Sequence, residues 1–140
     1  MRTIMTPDAP DPIGHYSHGT SHEGVVYVSG QLAIDPKTGQ KRIGSIEEQT
    51  EQVLQNMAAV VRAGGSQVNL VLKVNIFLSD MELRHKVNEV YARFFGAHKP
   101  ARAMIPIGTL PAGFLIELDA IAAIPRRASP PPESAGPSLA

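Results

Sequence analysis

From Phe114 the chain alternates without a break. Phe114, Ile116, Leu118, Ala120, Ala122 and Ile124 fall on one face, and Leu115, Glu117, Asp119, Ile121 and Ala123 on the other. This predicts a strand apolar on both faces, of the kind normally covered on both sides. Just upstream, PARAMIPI from Pro100 predicts a second strand, joined to the first by a turn of Pro and Gly over Gly108 to Gly113. Arg102 begins one strand and Glu117 sits inside the other. Buried carboxylates need partners, since breaking a buried pair costs roughly 3–5 kcal/mol. Arg102 and Glu117 therefore read either as an ion pair closing the sheet or as two groups facing a shared ligand.

Earlier segments follow the same logic. Arg2 to Met5 predicts a short edge strand, stopped by a proline-rich run to Pro12. Gly14 to Gly19 reads as a polar loop. Glu23 to Leu32 contains VVYVSGQL, a strand by its β-branched content, with a bulge expected at Ser29-Gly30. Asp35 to Gly39 is a turn. Ser45 and Glu48 form a capping box opening a helix striped by Ile46, Thr50, Val53, Leu54, Met57, Val60 and Val61, with Gly64-Gly65 at its end. Leu70 to Leu78 predicts a strand pointing Leu72, Val74, Ile76 and Leu78 one way and Val71, Lys73, Asn75 and Phe77 the other. Ser79 and Glu82 repeat the box spacing before a helix striped by Leu83, Val87, Val90, Tyr91 and Phe94 and ended by Gly96.

The order implies a single α+β sheet with two helices on one face. The other face would still present Leu115, Ile121, Val71 and Phe77 with Glu117 and Asp119. Soluble monomers rarely expose such a patch, so other subunits are expected to bury it.

At 140 residues one domain is expected, residues 1–124, followed by a disordered proline-rich tail over residues 125–140. Thirteen basic and thirteen acidic residues balance to zero net charge, which gives no field for drawing in nucleic acid or anionic membrane. The absence of cysteine removes disulfides, thiolate nucleophiles and cysteine-based zinc sites. With no apolar leader and no run near ~18 apolar residues, a cytoplasmic protein is expected. His15 and His18 lie in the glycine-bounded loop with His22 beyond it, and without a zinc pattern they read as exposed or locally hydrogen-bonded. The glycines form no phosphate-binding fingerprint, and no GxSxG elbow supports serine hydrolysis. Asn88, mid-helix, says little by itself.

Several short motifs then occur in order: IGHYSHG (Ile13 to Gly19), VSGQ (Val28 to Gln31), DPKTG (Asp35 to Gly39), Val87-Asn88, PAR (Pro100 to Arg102), Leu110-Pro111 and IELDAIA (Ile116 to Ala122). Together they make the chain resemble the RidA/YjgF family of reactive-intermediate deaminases, over about Ile4 to Ile124. The resemblance implies a chorismate-mutase-like fold, a homotrimer, and active sites in the clefts between subunits. It implies that Arg102 holds the carboxylate of a 2-imino or 2-enamino acid and that Glu117 positions or activates water. Tyr16, Ser29, Gly30 and Asn88 would line the pocket, with the backbone around Met104 facing the substrate nitrogen. No metal or organic cofactor is implied. The chain departs from the family pattern at His15 and His18, which stand for Pro and Gln, at Met104, which stands for Cys, and in a shorter connection before Pro100. These bear on the substrate more than on the reaction. A non-catalytic carboxylate-binding trimer is the alternative. Ribonuclease activity, an older label for the family, fits poorly with zero net charge and no basic aromatic stripe.

Overall fold

A computed structural model describes residues 1–126. The expected tail therefore lies outside the described residues from 127 onward. Six strands form one mixed sheet: β1 (Arg2–Ile4), β2 (Gly19–His22), β3 (Val25–Gln31), β4 (Val71–Leu78), β5 (Ala101–Pro106) and β6 (Ile116–Ala123), in the spatial order β1-β2-β3-β6-β4-β5. All neighbours are antiparallel except β4 and β5. Helices α1 (Ile46–Ala63) and α2 (Arg84–Phe95) pack against each other. Their apolar stripes share one core with the inner residues of β3, β4 and β6. The α+β architecture with two helices on one face is the one the pattern predicts.

Local chemistry explains most boundaries. The Ser45 hydroxyl accepts from the Glu48 amide and caps α1. Gly96 ends α2 at φ 63°. Glu23 and Gly24, both at positive φ, make the two-residue hairpin between β2 and β3. The register shift between Val28 and Gln31 is the bulge expected at Ser29-Gly30.

Four expectations are corrected. The segment Gly19–His22, read as the end of a loop and an unassigned stretch, is a strand held by ladders on both sides. A second register shift, between Val71 and Lys73, inverts the start of β4: Val71 is buried and Leu72 is 49% exposed. Val71 thus leaves the open face and Leu72 becomes exposed in its place. Ser79 does not cap α2. Its amide and hydroxyl both donate to the Leu115 carbonyl, while the Asp80 carboxylate caps the short turn before the helix. Finally, the Pro/Gly connection does not return β5 alongside β6. Strand β4 lies between them, because α2 carries the chain to the far edge, parallel to β4.

The face away from the helices is open in the single chain. Tyr27 is 48% exposed, and Phe77, Leu115 and Ile121 are only half-buried. On it lie Glu117 and Asp119.

Candidate active site in two halves

Strand register decides where the two charges go. Arg102 pairs with Val74, a buried residue on the helix side of β4. Glu117 pairs with Phe77, on the open side. Neighbouring residues on paired strands project to the same face, so Arg102 and Glu117 of one chain project to opposite faces. They are also one intervening strand apart and three residues out of register, ~14 Å between backbones. The ion pair considered from sequence is not formed, nor do the two share a pocket within the chain. Each lines its own.

The Glu117 pocket is a cavity of about 440 Å³ lined by Tyr16, Ser29, Gly30, Leu32, Ile34 and Glu117 among others. Its walls are fixed largely by backbone hydrogen bonds. The Ser29 amide donates to the His18 carbonyl at 3.0 Å, and its hydroxyl to the Ser17 carbonyl at 2.6 Å. His18 is buried at 2% exposure. Its Nδ1 accepts from the Thr6 amide at 3.0 Å, so the ring proton sits on Nε2 and is donated to the Pro10 carbonyl at 2.7 Å. The residue that departs from the family pattern thus ties the proline-rich segment to the pocket's rim. Tyr16, 46% exposed, accepts the Ile13 amide on its hydroxyl. On the far wall, the Asn56 amide group donates to the carbonyls of Leu32 and Ile34 at 3.1 and 2.9 Å. Gln49, buried in α1, donates to the Gly113 carbonyl and accepts from the Leu115 amide, which delivers β6 and hence Glu117.

Glu117 itself is half-buried beside Asp119. Burial, and secondly the Asp119 charge, push its carboxyl above the usual carboxylate range. Asp119 is itself engaged by the Asn75 amide at 2.9 Å. Among the described residues no cation lies within 4.0 Å of Glu117. Gly30 lies close to the carboxylate: a Cβ there would stand 2.5 Å from Glu117 Oε1, so the side chain would have to shift. The bare backbone lets the carboxylate lie over the bulge.

The second pocket, about 320 Å³, is lined by Asn88, Tyr91, Phe95, His98, Lys99 and Arg102 among others. Here side chains do the holding. The Arg102 guanidinium lies 4.9 Å from the centroid of the Tyr91 ring, and no carboxylate is within 4.0 Å of it among the described residues. Met104, two residues along the same face of β5, is partly buried against the core and lines neither pocket. The structure thus collects Tyr16, Ser29, Gly30 and Glu117 on one side and Asn88 and Arg102 on the other. Sequence reasoning missed Tyr91 and the pinning residues Gln49 and Asn56. Polar positions inside a buried helical stripe are the signal that would have found them.

A family model described as Endoribonuclease L-PSP matches residues 6–124. A RutC family protein of Pyrococcus horikoshii is 46% identical over 119 residues, spanning 85% of this chain and 94% of that protein. The human 2-iminobutanoate/2-iminopropanoate deaminase is 37% identical over 121 residues, covering 86% of this chain and 88% of its own. Among solved structures, E. coli TdcF with bound serine superposes with a TM-score of 0.83 at 32% identity, covering 88% of this chain and 98% of that one. Fold, motifs and these matches agree: the chain belongs to the RidA/YjgF family.

Proposed function

We propose that this protein hydrolyses small 2-imino and 2-enamino acids to 2-keto acids and ammonia, in clefts where Arg102 of one subunit meets Glu117 of the next in a homotrimer. One observation carries the reading. Among the described residues the guanidinium and the carboxyl each lack a charged partner, each line a separate cavity, and the two project to opposite faces of the sheet, so that a second subunit is what would bring them into one cleft. The half-exposed apolar sheet face carrying Glu117 gives that subunit a surface to cover.

The chemistry follows from the groups. Arg102 offers a planar fork of donors to the substrate carboxylate and thereby orients the adjacent C=N bond. Asn88 adds a polar contact on that side, Tyr16, Ser29 and Gly30 bound the other, and the Met104 main chain faces the nitrogen. An enamine first tautomerises to the imine. Glu117 takes a proton from water as the oxygen bonds to the imine carbon, forming a carbinolamine. It passes that proton to the imine nitrogen, then takes the carbinolamine hydroxyl proton and delivers it to nitrogen as the C=O bond forms, the C–N bond breaks, and ammonia leaves the keto acid. Burial holds the Glu117 carboxyl above its ordinary range, which favours its taking up and passing on a proton. The residues supply this without a metal or organic cofactor.

The test is direct. Imines generated in situ by an amino-acid oxidase are followed for ammonia release with and without the protein, and sedimentation equilibrium gives the assembly. Accelerated release from a trimer is expected; unaccelerated release, or a stable monomer at micromolar concentration, defeats the reading. A second reading, a carboxylate-binding protein without turnover, draws on the serine held by the TdcF relative. It predicts that a small amino or keto acid binds in an Arg102-dependent way while imine lifetime is unchanged.

A further inference from the structure

Arg102 is the second residue of an edge strand, is exposed, and has no partner among the described residues other than an aromatic face. A long, flexible side chain in that position would ordinarily sample many rotamers, and a carboxylate would have to order it on binding. We propose that Tyr91 is the positioning residue for Arg102: its ring is a neutral platform that fixes the guanidinium plane while leaving every N–H donor free for the substrate carboxylate. This rests on the reading of Arg102 given above.

Two features distinguish a platform from ordinary core packing. First, the partner is chosen by what it does not do. An aspartate or glutamate at this place would consume the guanidinium's donors and neutralise its charge. An aromatic face attracts the cation through its π-electrons and leaves the in-plane donors unused. The phenol does not become a hidden anion either, because burial pushes it up to about 12 despite the neighbouring arginine.

Second, the ring is itself braced. Tyr91 packs on Phe95 at 4.7 Å between centroids, and Phe95 packs edge-on against Phe94 at 5.1 Å and His98 at 6.0 Å. His98 Nε2 lies 2.7 Å from the Val71 carbonyl at the start of β4, the strand to which β5 is paired. The stack therefore runs from the guanidinium back into the sheet that carries it. The Tyr91 hydroxyl is buried with no hydrogen-bond partner among the described residues. Nothing in the platform role uses it, so the ring alone should suffice.

The experiment uses Tyr91→Leu and Tyr91→Phe in the full-length protein, assayed with oxidase-generated imines and, separately, for binding of 2-oxobutanoate by calorimetry. Tyr91→Leu is expected to raise KM and the keto-acid Kd by about five- to thirtyfold, the range for loss of a cation–π contact. It should change kcat much less. Tyr91→Phe brings both constants back to within about twofold of wild type, which a role for the hydroxyl would not allow. Sedimentation and thermal melting of both variants separate misfolding from mispositioning. The inference is overturned if folded Tyr91→Leu keeps wild-type KM and Kd, or if Tyr91→Phe is as impaired as Tyr91→Leu. If wild type binds 2-oxobutanoate without turning over imines, the deaminase reading fails while the platform is still judged on Kd. A wild type that does neither removes both.

Discussion

The two half-pockets are built on opposite principles. Around Glu117 the walls are held mainly by backbone hydrogen bonds: His18, Ser29, Gln49 and Asn56 each bind main-chain groups, and a glycine gives the carboxylate its place. Around Arg102 the holding contacts are mostly aromatic faces, with one histidine nitrogen reaching the backbone. A reacting carboxyl needs a fixed, desolvated position that keeps its proton affinity high. A carboxylate receptor needs its donors unspent. On the proposed function, one chain meets two electrostatic requirements by withholding charged partners in two ways.

The comparison is broken most severely at the receptor. On the proposed function, Arg102→Ala would remove two charge-assisted hydrogen bonds to the substrate carboxylate, ~1.5–3 kcal/mol each, and kcat/KM should fall to background, a loss of up to ~10⁴-fold, with the assembly intact by sedimentation. Undiminished turnover would refute the role. Glu117→Gln should lower kcat by roughly 10²-fold or more with little change in KM. A change confined to KM would make Glu117 a binding residue.

The same substitution has a signature in stability. Because the folded carboxyl is raised, the native state binds its proton more tightly than the unfolded chain does. Stability from this group is complete below the unfolded value and declines as pH rises through the folded one. Chemical denaturation should therefore find Glu117→Gln gaining on wild type as pH rises from 4 to 7. A constant difference across that range would show that the carboxyl is unperturbed in the assembled protein.

Smaller still is Gly30→Ala. Its methyl meets the far end of the Glu117 side chain, which can swing aside. The expected outcome is a roughly tenfold lower kcat with a melting temperature within a few degrees of wild type. A large drop in melting temperature with normal kcat would mean that the bulge, not the carboxylate, needs the glycine.

Much of this was legible in the residues. The helix stripes, the Ser45 cap, the bulge at Ser29-Gly30 and the strict alternation of β6 are local signals, and the fold obeys them. What escaped was set by distant partners. Gly19–His22 has no apolar alternation and is a strand because β1 and β3 flank it. Val71 turned inward through a register shift that depends on its pairing with β6. The same holds for the site. Arg102 and Glu117 stand out in the sequence as candidate charges, and their closeness there suggests an ion pair or a shared pocket that the single chain does not form. Strand β4 lies between them, invisible in either segment, and their three-residue offset along it sends them to opposite faces.

That insertion has a genetic consequence. If each cleft draws its cation and its carboxyl from different subunits, two inactive chains can repair one another. Arg102→Ala mixed with Glu117→Gln, denatured and renatured together in equal amounts, would reassemble with roughly one cleft in four intact, against none in either parent alone.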